Sequence, residues 1–437
     1  MGAENREIRQ DSISAGWLID WQVRDDRTKL GGVHDVETLS HETAVSKLRL
    51  VFLIPTLDRS GAEKQLTLLA TRLPKEEFEV SVIALTRGGP LKDELESGGI
   101  PVTVIGKRTK FDPFAFFRLR SELRRQQPMI LHTWLFAANS YGRLCRGIIP
   151  SAKIVVSERC VDRWKADWQL WLDRRLIERT DRLVGNSPSV VDFYRELGVP
   201  DDKLVCIPNG IEIPADPIGD LAARRQALLQ KTDRRLEATA TDSDRAALRQ
   251  ALLQELRLPP DAFVAGYIGR LAKQKRVEDL IWAVETLRQI RPKLFLVIVG
   301  DGPERERLEN FSRDVGCSEH VRFLGHREDA RRWLRLFDVF CLASSFEGMS
   351  NSLMEAMSVG LPVIASDIPA NRELVVQSET GFLPKLTDTV GYMQFLRCLI
   401  DEPGLGPALG QQGLKRIQHS FSVSRMVDAY TALYRSL

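Results

Sequence analysis

The chain has 437 residues, 43% of them hydrophobic, which is long enough for two domains with cores of ordinary size. Its 62 lysines and arginines nearly balance 59 acidic residues, and the net charge of +3 excludes any general argument for nucleic-acid binding. Six scattered cysteines without a CxxC pair argue against a disulfide framework and against a zinc site.

Residues 1–47 are polar and aperiodic, and we predict that they form a loose, flexible leader. They lack the apolar core of a secretory signal peptide. No apolar run in the chain approaches the roughly 18 residues that cross a bilayer. We therefore expect a cytoplasmic protein whose only membrane contact would be peripheral, at the inner face.

Short apolar runs alternate with amphipathic stretches over the rest of the chain, which indicates βαβ units and parallel sheets. The first series reads LRLVFLI, VSVIAL, VTVI, MIL, KIVVS, RLVG and KLVCI, and a second series begins at Phe263 with FVAGYIG, KLFLVIVG, VRFLG, DVFCLA and LPVIAS. We predict two doubly wound α/β domains, residues 48–213 and 258–405.

A charged segment rich in Ala and Leu, residues 214–257, connects the two domains. It carries AARRQALLQ (222–230) and AALRQALLQ (246–254), which agree at eight of nine positions. We predict a helical linker with a local duplication, since two copies are too few for a solenoid. Asp242-Ser-Asp244 could hold a divalent metal on a nucleotide diphosphate, but Asp or Ser ahead of such a helix is more simply an N-cap.

The stretch SSFEGMSNSLMEAMSVGLPVIAS, residues 344–366, places two glutamates eight positions apart around small residues. It follows the predicted strand DVFCLA, so its loop leads from the carboxyl end of a strand into a helix. Ligands bind at such loops, and the free N–H groups of the helix favour phosphate. Glu347 and Glu355 can accept hydrogen bonds from sugar hydroxyls. Either one alone is most simply a solvated charge, but together they indicate a sugar–diphosphate site.

A sugar diphosphate also needs cations. The strand that opens the second series ends in Gly269-Arg270 and is followed by Lys273 and Lys275. We predict that Arg270 and Lys275 neutralise the diphosphate, although surface cations are common in such turns. If these cations and the two glutamates bind one ligand, their loops must meet, so we expect the first and fifth strands of the domain to lie side by side at the crevice.

In these segments the chain resembles the retaining glycosyltransferases of family 4, which have the GT-B fold. The motifs that carry the resemblance are IPTLDRSGAEKQLTLLA (54–70), VGNSPSVVDFY (184–194), IPNGIE (207–212), GRLAKQKRVEDLI (269–281), IVGDGPERERLE (298–309), VRFLG (321–325), FEGMSNSLMEAMSVGLPVIAS (346–366) and TGFL (380–383). The resemblance covers residues 48–437. It implies two Rossmann-like domains facing across a cleft, with an acceptor side in the first domain and a donor side in the second. It also implies that helices in 406–437 return towards the first domain.

The resemblance assigns donor-binding roles residue by residue. Arg270 and Lys275 would hold the diphosphate, Glu347 would contact the transferred sugar, and Glu355 would bind the ribose. The implied catalytic residues are Glu347, Arg270, Lys275 and His132. The full donor-binding set is Gly61, Gly269, Arg270, Lys275, Gly325, Arg327, Glu347, Gly348, Met349, Ser350, Asn351 and Glu355.

Two glycines of that set carry separate arguments. The loop from Gly325 to Arg327 would lie against the base. Gly61 would let a first-domain loop approach the donor phosphates closely. The family often has two glycines where this chain has Ser60-Gly61, so a glycine needed only for a tight turn is an equal alternative.

His132 follows the strand MIL, and in this fold the loop after that strand faces the cleft. A lone histidine there is usually structural. Many relatives carry HxH, whose second histidine is tied to catalysis, and Trp134 occupies that place here. We predict that His132 positions the acceptor, with a weaker claim to catalysis. The acceptor side is predicted to contain His132, Trp134, Ser157, Arg159 and Asn186.

Residues 107–125, KRTKFDPFAFFRLRSELRR, hold seven cations, two anions and four phenylalanines. Such a helix could seat the protein on an anionic membrane, near a lipid-linked or envelope acceptor. A crossover helix with buried phenylalanines and solvated arginines is the simpler interpretation, and both stay open.

The resulting hypothesis is a retaining hexosyl- or N-acetylhexosaminyl-transferase acting in polysaccharide, glycolipid or cell-envelope glycan synthesis. Its partners would be a nucleoside-diphosphate sugar and a glycan or lipid-linked acceptor, without nucleic acid. Fixed cations would stabilise the leaving diphosphate, so neither a metal nor another cofactor is expected. A nucleotide-sugar 2-epimerase, a phosphorylase and a non-catalytic sugar-nucleotide scaffold remain alternatives. A dehydrogenase is disfavoured, because no strand is followed by GxGxxG.

Overall fold

The computed structural model describes residues 47–109, 111–161, 165–214 and 242–437, and for residues 242–245 it describes the backbone alone. All of the predicted leader except residue 47 lies outside these residues. The whole first copy of the duplication, residues 222–230, also lies outside them. The two sheets of the described part belong to one compact unit, Ser46–Leu437. The domain limits drawn from the sequence therefore stay a prediction.

The first sheet has seven parallel strands in the order β3-β2-β1-β4-β5-β6-β7. Its strands are β1 (Leu48–Thr56), β2 (Phe78–Arg87), β3 (Val102–Val104), β4 (Ile130–Trp134), β5 (Lys153–Glu158), β6 (Arg182–Gly185) and β7 (Leu204–Cys206). Every residue of β4 is buried, as expected for a central strand covered on both faces.

The helices that cover this sheet are α1 (Gly61–Arg72), α2 (Pro90–Ser97), α3 (Pro113–Gln126), α4 (Leu135–Leu144), α5 (Asp167–Arg175) and α6 (Pro188–Glu196). Local signals explain where they begin. Asp112 caps α3 by accepting a hydrogen bond from the Ala115 amide at 2.9 Å, and Pro113 occupies the first helical position.

The second sheet has five parallel strands in the order β10-β9-β8-β11-β12. Its strands are β8 (Phe263–Ile268), β9 (Leu294–Val299), β10 (Val321–Phe323), β11 (Val339–Leu342) and β12 (Val363–Ala365). All twelve strands of the described residues coincide with predicted apolar runs. One detail of the prediction was wrong: the first strand of this sheet, β8, lies beside the fourth strand, β11, whereas the fifth is at the edge.

The remaining helices are α7 (Asp242–Glu255), α8 (Val277–Arg288), α9 (Arg305–Asp314), α10 (Ala330–Trp333), α11 (Asn351–Ser358), α12 (Pro369–Leu374), α13 (Thr389–Asp401), α14 (Leu405–Ser420) and α15 (Val423–Arg435). The second copy of the duplication lies on α7. That helix begins at Asp242, so Asp242-Ser-Asp244 forms its first turn; the capping side chains are outside the described part.

The last helix, α15, leaves the second sheet and packs on the first. Tyr430 and Tyr434 are buried in the same apolar cluster as residues of β1 and β4. The Ile211 amide donates to the Phe421 carbonyl at 2.9 Å where the chain crosses between the sheets. The last helix therefore forms part of the core of the first sheet.

The simpler interpretation of residues 107–125 was a crossover helix with buried phenylalanines, and three of the four phenylalanines do not fit it. Phe111, Phe114 and Phe117 are exposed, while the buried face of α3 consists of Ala115, Leu119 and Leu123. None of the helices in the described ranges is long and apolar enough to cross a membrane.

Candidate functional site

A cavity of about 680 Å³ lies between the carboxyl edges of the two sheets, a size suited to a small-molecule ligand. The first sheet contributes Arg59, Ser60, Gly61, Ala62, Lys64, Gln65, Arg159, Cys160, Asn186 and Asn209. The second sheet contributes Ile268, Gly269, Arg270, Gln274, Lys275, Val299, Gly300, Asp301, His326, Arg327, Ala330, Glu347, Gly348, Met349, Ser350, Asn351, Ser352 and Glu355. The cavity therefore has walls from both halves of the molecule.

The structure brings together nearly all of the residues predicted for the donor. Those lining the cavity are Gly61, Gly269, Arg270, Lys275, Arg327, Glu347, Gly348, Met349, Ser350, Asn351 and Glu355. Gly325 is the exception, because it lies behind the wall. Its carbonyl accepts a hydrogen bond from the Gly300 amide at 2.8 Å, so it supports a lining residue, and its predicted contact with the donor stays a prediction.

The helix α11 begins in this cavity. Ser350 is its N-cap, and the Ser350 hydroxyl accepts a hydrogen bond from the Leu353 amide at 3.4 Å. The first amides of a helix have no acceptor within it and carry partial positive charge. The small residues around Gly348 leave this helix end open to the cavity, which is the arrangement expected for a phosphate site.

The cations predicted for the diphosphate lie in one loop beside this helix end. The loops that carry them are held together because the Ser345 amide and hydroxyl donate to the Gln274 carbonyl at 2.9 and 3.1 Å. Lys275 forms an ion pair with Glu347, and both side chains are largely buried. The exposed Arg270 side chain forms no ion pair with any described residue, so it can neutralise an anion in the cavity.

Glu355 marks the other end of the cavity. It lies within the helix α11, and its side chain is about 10% exposed. Arg331, on α10, approaches its carboxylate at 3.6 Å and also approaches Glu212 at 3.5 Å. The sequence placed Glu355 correctly but gave no signal for Arg331, because the two helices are not neighbours in the chain.

Two glycines allow the backbone to pack closely around the cavity. Gly300 has φ +138°, and a Cβ there would lie 1.9 Å from the Gly269 carbonyl oxygen. A Cβ on Gly348 would lie 2.0 Å from the Arg159 carbonyl oxygen, across the cleft. A single isolated bridge pairs Gly348 with Cys160. The backbones of the two halves therefore approach each other closely at Gly348.

Sequence reasoning missed a polar contact that joins the halves. The Asn351 side chain donates to the Gly61 carbonyl at 3.1 Å and accepts from Asn209 at 2.8 Å. Gln65 approaches the same Asn351 oxygen at 3.4 Å and bonds the Gly210 amide and carbonyl at 3.0 and 2.8 Å. We call Gln65, Asn209 and Asn351 the amide contact. The motif IPNGIE contains Asn209, but nothing in it identifies a partner 142 positions away.

Arg159 is a fixed cation on the cavity wall that the first sheet contributes, which we call the acceptor wall because the acceptor was predicted to bind there. Its guanidinium stacks on Trp134, 3.7 Å from the ring centre, and donates to the Asn209 Oδ1 at 3.0 Å and the Tyr430 hydroxyl at 2.9 Å. Asn186 lines the same wall. Arg159 and Asn186 are therefore the members of the predicted acceptor set that border the cavity.

The other members of that set require a correction. His132, Trp134 and Ser157 are completely buried and do not line the cavity. The two ring nitrogens of His132 lie 2.7 Å from the Tyr434 hydroxyl and 2.8 Å from the Ser157 hydroxyl. Burial, and secondarily the charge of Arg159, lowers the pKa of His132 well below its usual value. The helix α15 covers this histidine, so in this structure His132 cannot touch an acceptor and instead supports the wall under Arg159.

Among the described residues, no three His, Cys, Asp or Glu side chains lie close enough together to hold a metal ion. The charged groups that face the cavity are instead guanidinium, ammonium and carboxylate groups. They can bind a diphosphate and hydroxyl groups directly.

Two Rossmann-like sheets that face each other across a cavity are the arrangement of the GT-B fold. The chain belongs to glycosyltransferase family 4, as its matches to family models and relatives show. A model of the glycosyltransferase family 4 domain matches residues 59–213, and a model of the glycosyl transferases group 1 matches residues 249–394. The prediction of fold and family is thus confirmed.

Two relatives match most of their own length. The lipopolysaccharide core biosynthesis glycosyltransferase LpsD of Rhizobium meliloti is 31% identical over 376 residues, which is 86% of this chain and 94% of LpsD. The UDP-Gal:alpha-D-GlcNAc-diphosphoundecaprenol alpha-1,3-galactosyltransferase of Escherichia coli is 26% identical over 89% of this chain and 96% of that enzyme.

Among solved structures, Anabaena HepE in complex with UDP-glucose superposes with a TM-score of 0.74. The superposition covers 89% of this chain and 100% of HepE, and the two sequences are 20% identical. At that identity the similarity shows the fold alone.

Proposed function

We propose that the protein transfers a sugar, with retention of configuration, from a nucleoside-diphosphate sugar to an acceptor hydroxyl. One observation carries the proposal: Arg270, Lys275, Glu347 and Glu355 line the same cavity as the start of α11. These groups supply the cations, amides and carboxylates that a diphosphate between two sugars requires. The family assignment makes glycosyl transfer the reaction; the residue roles and stereochemistry are proposed.

In the proposed complex the diphosphate lies between Arg270 and the first amides of α11. Lys275 keeps its ion pair with Glu347, because an ammonium group has three donors and can bind a phosphate oxygen with another. The paired Glu347 accepts from hydroxyls of the transferred sugar, and Glu355 accepts from the ribose. The fixed positive groups would stabilise the charge that grows on the leaving diphosphate.

Retention is proposed from the resemblance of the sequence motifs to the retaining glycosyltransferases of family 4. We propose that the leaving phosphate oxygen takes the acceptor proton on the same face as the breaking bond.

We further propose that the reaction needs no metal ion, because Arg270 and Lys275 can supply the positive charge. Activity should then be unchanged when a chelator is added. A rate that falls with chelator and returns with a divalent ion would overturn this part of the proposal and leave the family assignment intact.

The relatives' names guide the choice of substrates. LpsD is named for lipopolysaccharide core biosynthesis, and the Escherichia coli relative is named for a UDP-galactose donor and a diphosphoundecaprenol-linked acceptor. We propose a hexosyl- or N-acetylhexosaminyl-transfer that builds a cell-envelope glycan, with a glycan or lipid-linked acceptor, in the cytoplasm at the inner face of the membrane.

Two measurements test the proposal. A thermal-shift screen with UDP-, GDP- and ADP-sugars should reveal one base whose sugar nucleotides raise the melting temperature. Proton NMR of the product made with that donor should then show the anomeric configuration of the donor. An inverted product would overturn retention. Conversion of the donor to its 2-epimer without acceptor would favour an epimerase.

A further inference from the structure

Five exposed aromatic side chains form a patch on the first half of the molecule. Phe111, Phe114 and Phe117 are 78%, 74% and 62% exposed, and Trp168 and Trp171 are 51% and 57% exposed. We call these five residues the aromatic surface. Contiguous exposed apolar groups of this size usually mark a docking site, whereas scattered single ones do not.

Two separate elements build the aromatic surface. Phe114 and Phe117 lie one turn apart in the N-terminal half of α3, and Trp168 and Trp171 lie one turn apart in α5. Phe111 and Trp168 join them, with ring centres 6.3 Å apart. A direct ring contact therefore links the segment just before α3 to α5, which lies much further along the chain.

The position of the aromatic surface follows from the topology. The helices α3 and α5 begin just after β3 and β5, so their N-terminal halves lie at the carboxyl edge of the first sheet. Trp168 packs on Phe136, at the start of α4, with ring centres 5.7 Å apart. Arg159, which borders the cavity, lies in the connection between β5 and α5, and Trp168 lies in the first turn of α5. The aromatic surface thus lies on the side of the first sheet that carries the acceptor wall.

Folding does not require these side chains to be apolar. The opposite face of α3 supplies the buried contacts through Ala115, Leu119 and Leu123. Most other exposed positions of the helix are polar or charged, so the phenylalanines are not part of a generally apolar helix. Their exposure is the feature that the fold leaves unexplained.

The charge nearest the aromatic surface is positive. The exposed cations close to it in the two segments are Arg108, Arg118, Arg174 and Arg175, whereas Arg124 lies with Leu48 and Ile130 at the opposite edge of the first sheet. The acids have internal partners for the most part: Asp112 caps α3, Glu122 pairs with Arg125, and Asp173 is buried against Arg143. Asp167 is the exposed acid of α5. Arg175 also lies over the Trp171 ring, 5.5 Å from its centre.

Exposed aromatic side chains with arginines beside them match the interface of an anionic bilayer. Phenylalanine and tryptophan rings insert at the level of the headgroups and upper acyl chains, and arginines attract the lipid phosphates. A protein partner would need an acidic counterpart for the rim, and nothing in this chain identifies one. Charge complementarity therefore favours lipid.

We propose that the aromatic surface docks on the surface of a bilayer containing anionic phospholipids and inserts its phenylalanines and tryptophans there. Docking would hold the acceptor wall beside the membrane, so that the head of a lipid-linked acceptor could enter the cleft while its tail stayed in the bilayer. This deepens the proposed function but concerns a different surface from the donor site.

Vesicle sedimentation tests the proposal without any sugar nucleotide. The full chain should bind vesicles of phosphatidylcholine mixed with phosphatidylglycerol, bind phosphatidylcholine alone much more weakly, and be released by added salt. The double variants Phe114→Ser with Phe117→Ser and Trp168→Ser with Trp171→Ser should each lower the partition constant by about tenfold.

A matched control is available in the second half of the molecule. Ile290 and Val390 are 57% and 56% exposed, so Ile290→Ser with Val390→Ser removes apolar groups of similar exposure from outside the aromatic surface. This control should bind vesicles like the unmodified chain. The stabilising sugar nucleotide should raise the melting temperature of all variants by the same amount. This result would show that the variants fold and that a loss of vesicle binding does not come from a loss of donor binding.

Three results would overturn the proposal. The first is an unmodified chain that does not bind anionic vesicles at low salt. The second is equal binding by the control and by both aromatic variants. The third is a change of mass in light scattering that depends on the aromatic surface while vesicles stay unbound, which would assign the surface to a second copy of the chain.

Discussion

At the scale of single residues, the ion pair between Lys275 and Glu347 shows that two residues predicted to bind different parts of the donor also bind each other. The sequence suggested one group for the phosphates and another for the sugar. The structure shows them bound to each other, both largely buried. Each therefore orients the other, and removal of Lys275 would also leave the Glu347 carboxylate without its cation.

Lys275→Ala and Glu355→Ala should each lower kcat/KM with the selected donor by about a hundredfold, since each removes a charged contact to the donor. Melting temperatures should show that both variants remain folded. Lys273→Ala is the matched control, because Lys273 is exposed on the same turn and does not line the cavity; its rate should stay within about twofold of the unmodified enzyme. Unchanged rates in both variants would refute the donor roles.

His132 illustrates how burial decides a residue's role. We expect His132→Gln to lower the free energy of unfolding by about 1–3 kcal/mol, because it disturbs hydrogen bonds to two buried hydroxyls. Because burial keeps the imidazole neutral at physiological pH, the variant should keep the shape of the pH–rate profile. Loss of one limb of that profile in the variant would instead assign His132 a catalytic proton transfer.

At the scale of elements, α11 carries both the proposed phosphate site and the contacts to the opposite wall of the cleft. Its first residue, Asn351, contacts both Gly61 and Asn209 of the first half. The preceding Gly348 lies against the Arg159 carbonyl. In the proposed complex the same short segment would present amides to the donor, and it also contacts the opposite wall. This double use explains why small residues precede the helix.

Gly348→Ala tests this link. The added Cβ would meet the Arg159 carbonyl at 2.0 Å, so the walls must separate or the loop must move. We expect kcat/KM to fall by about ten- to a hundredfold, since small displacements of reacting groups cost that much. Gly404→Ala is a suitable control, because a Cβ there meets nothing within 4 Å. Similar kinetics for the two variants would show that the close approach is unimportant for catalysis.

At the scale of the whole molecule, a second contact between the halves contains a carboxyl group with an unusual pKa. Glu373, on α12, accepts a hydrogen bond from the Ser189 amide at the start of α6 at 3.2 Å. Its second oxygen is buried without a partner among the described residues. Burial raises the pKa of Glu373 from 4.5 to about 7, and Asp192 acts in the same direction. Cys206 lies nearby, and Arg416 bonds the Glu373 backbone carbonyl rather than its carboxylate.

This pKa predicts how stability depends on pH. A raised pKa means that the folded protein binds a proton which the unfolded chain has released between pH 4.5 and about 7. The contribution of Glu373 is therefore present below about pH 4.5 and is lost as the pH rises through about 7. Urea unfolding at a series of pH values should show this decline, and Glu373→Gln should flatten it. The same slope in both proteins would assign the pH dependence to other groups.

The sequence by itself determined the strands and the loops that follow them, because these depend on neighbours close in the chain. Short apolar runs identified all twelve strands of the described residues, and glycine and small polar residues marked the loops after β8 and β11. Since parallel strands bring those ends to one edge, Arg270, Lys275, Glu347 and Glu355 could be placed in one site before any coordinates were known.

Only the tertiary structure decided which side chains meet across long sequence separations and which are sealed. The amide contact joins Gln65, Asn209 and Asn351, and the return of α15 buries His132 under Tyr434. The exposure of the aromatic surface likewise depends on how α3 and α5 are oriented, which a list of residue types does not contain. Local patterns specify each segment's own shape, whereas these contacts arise from the packing of the segments on one another.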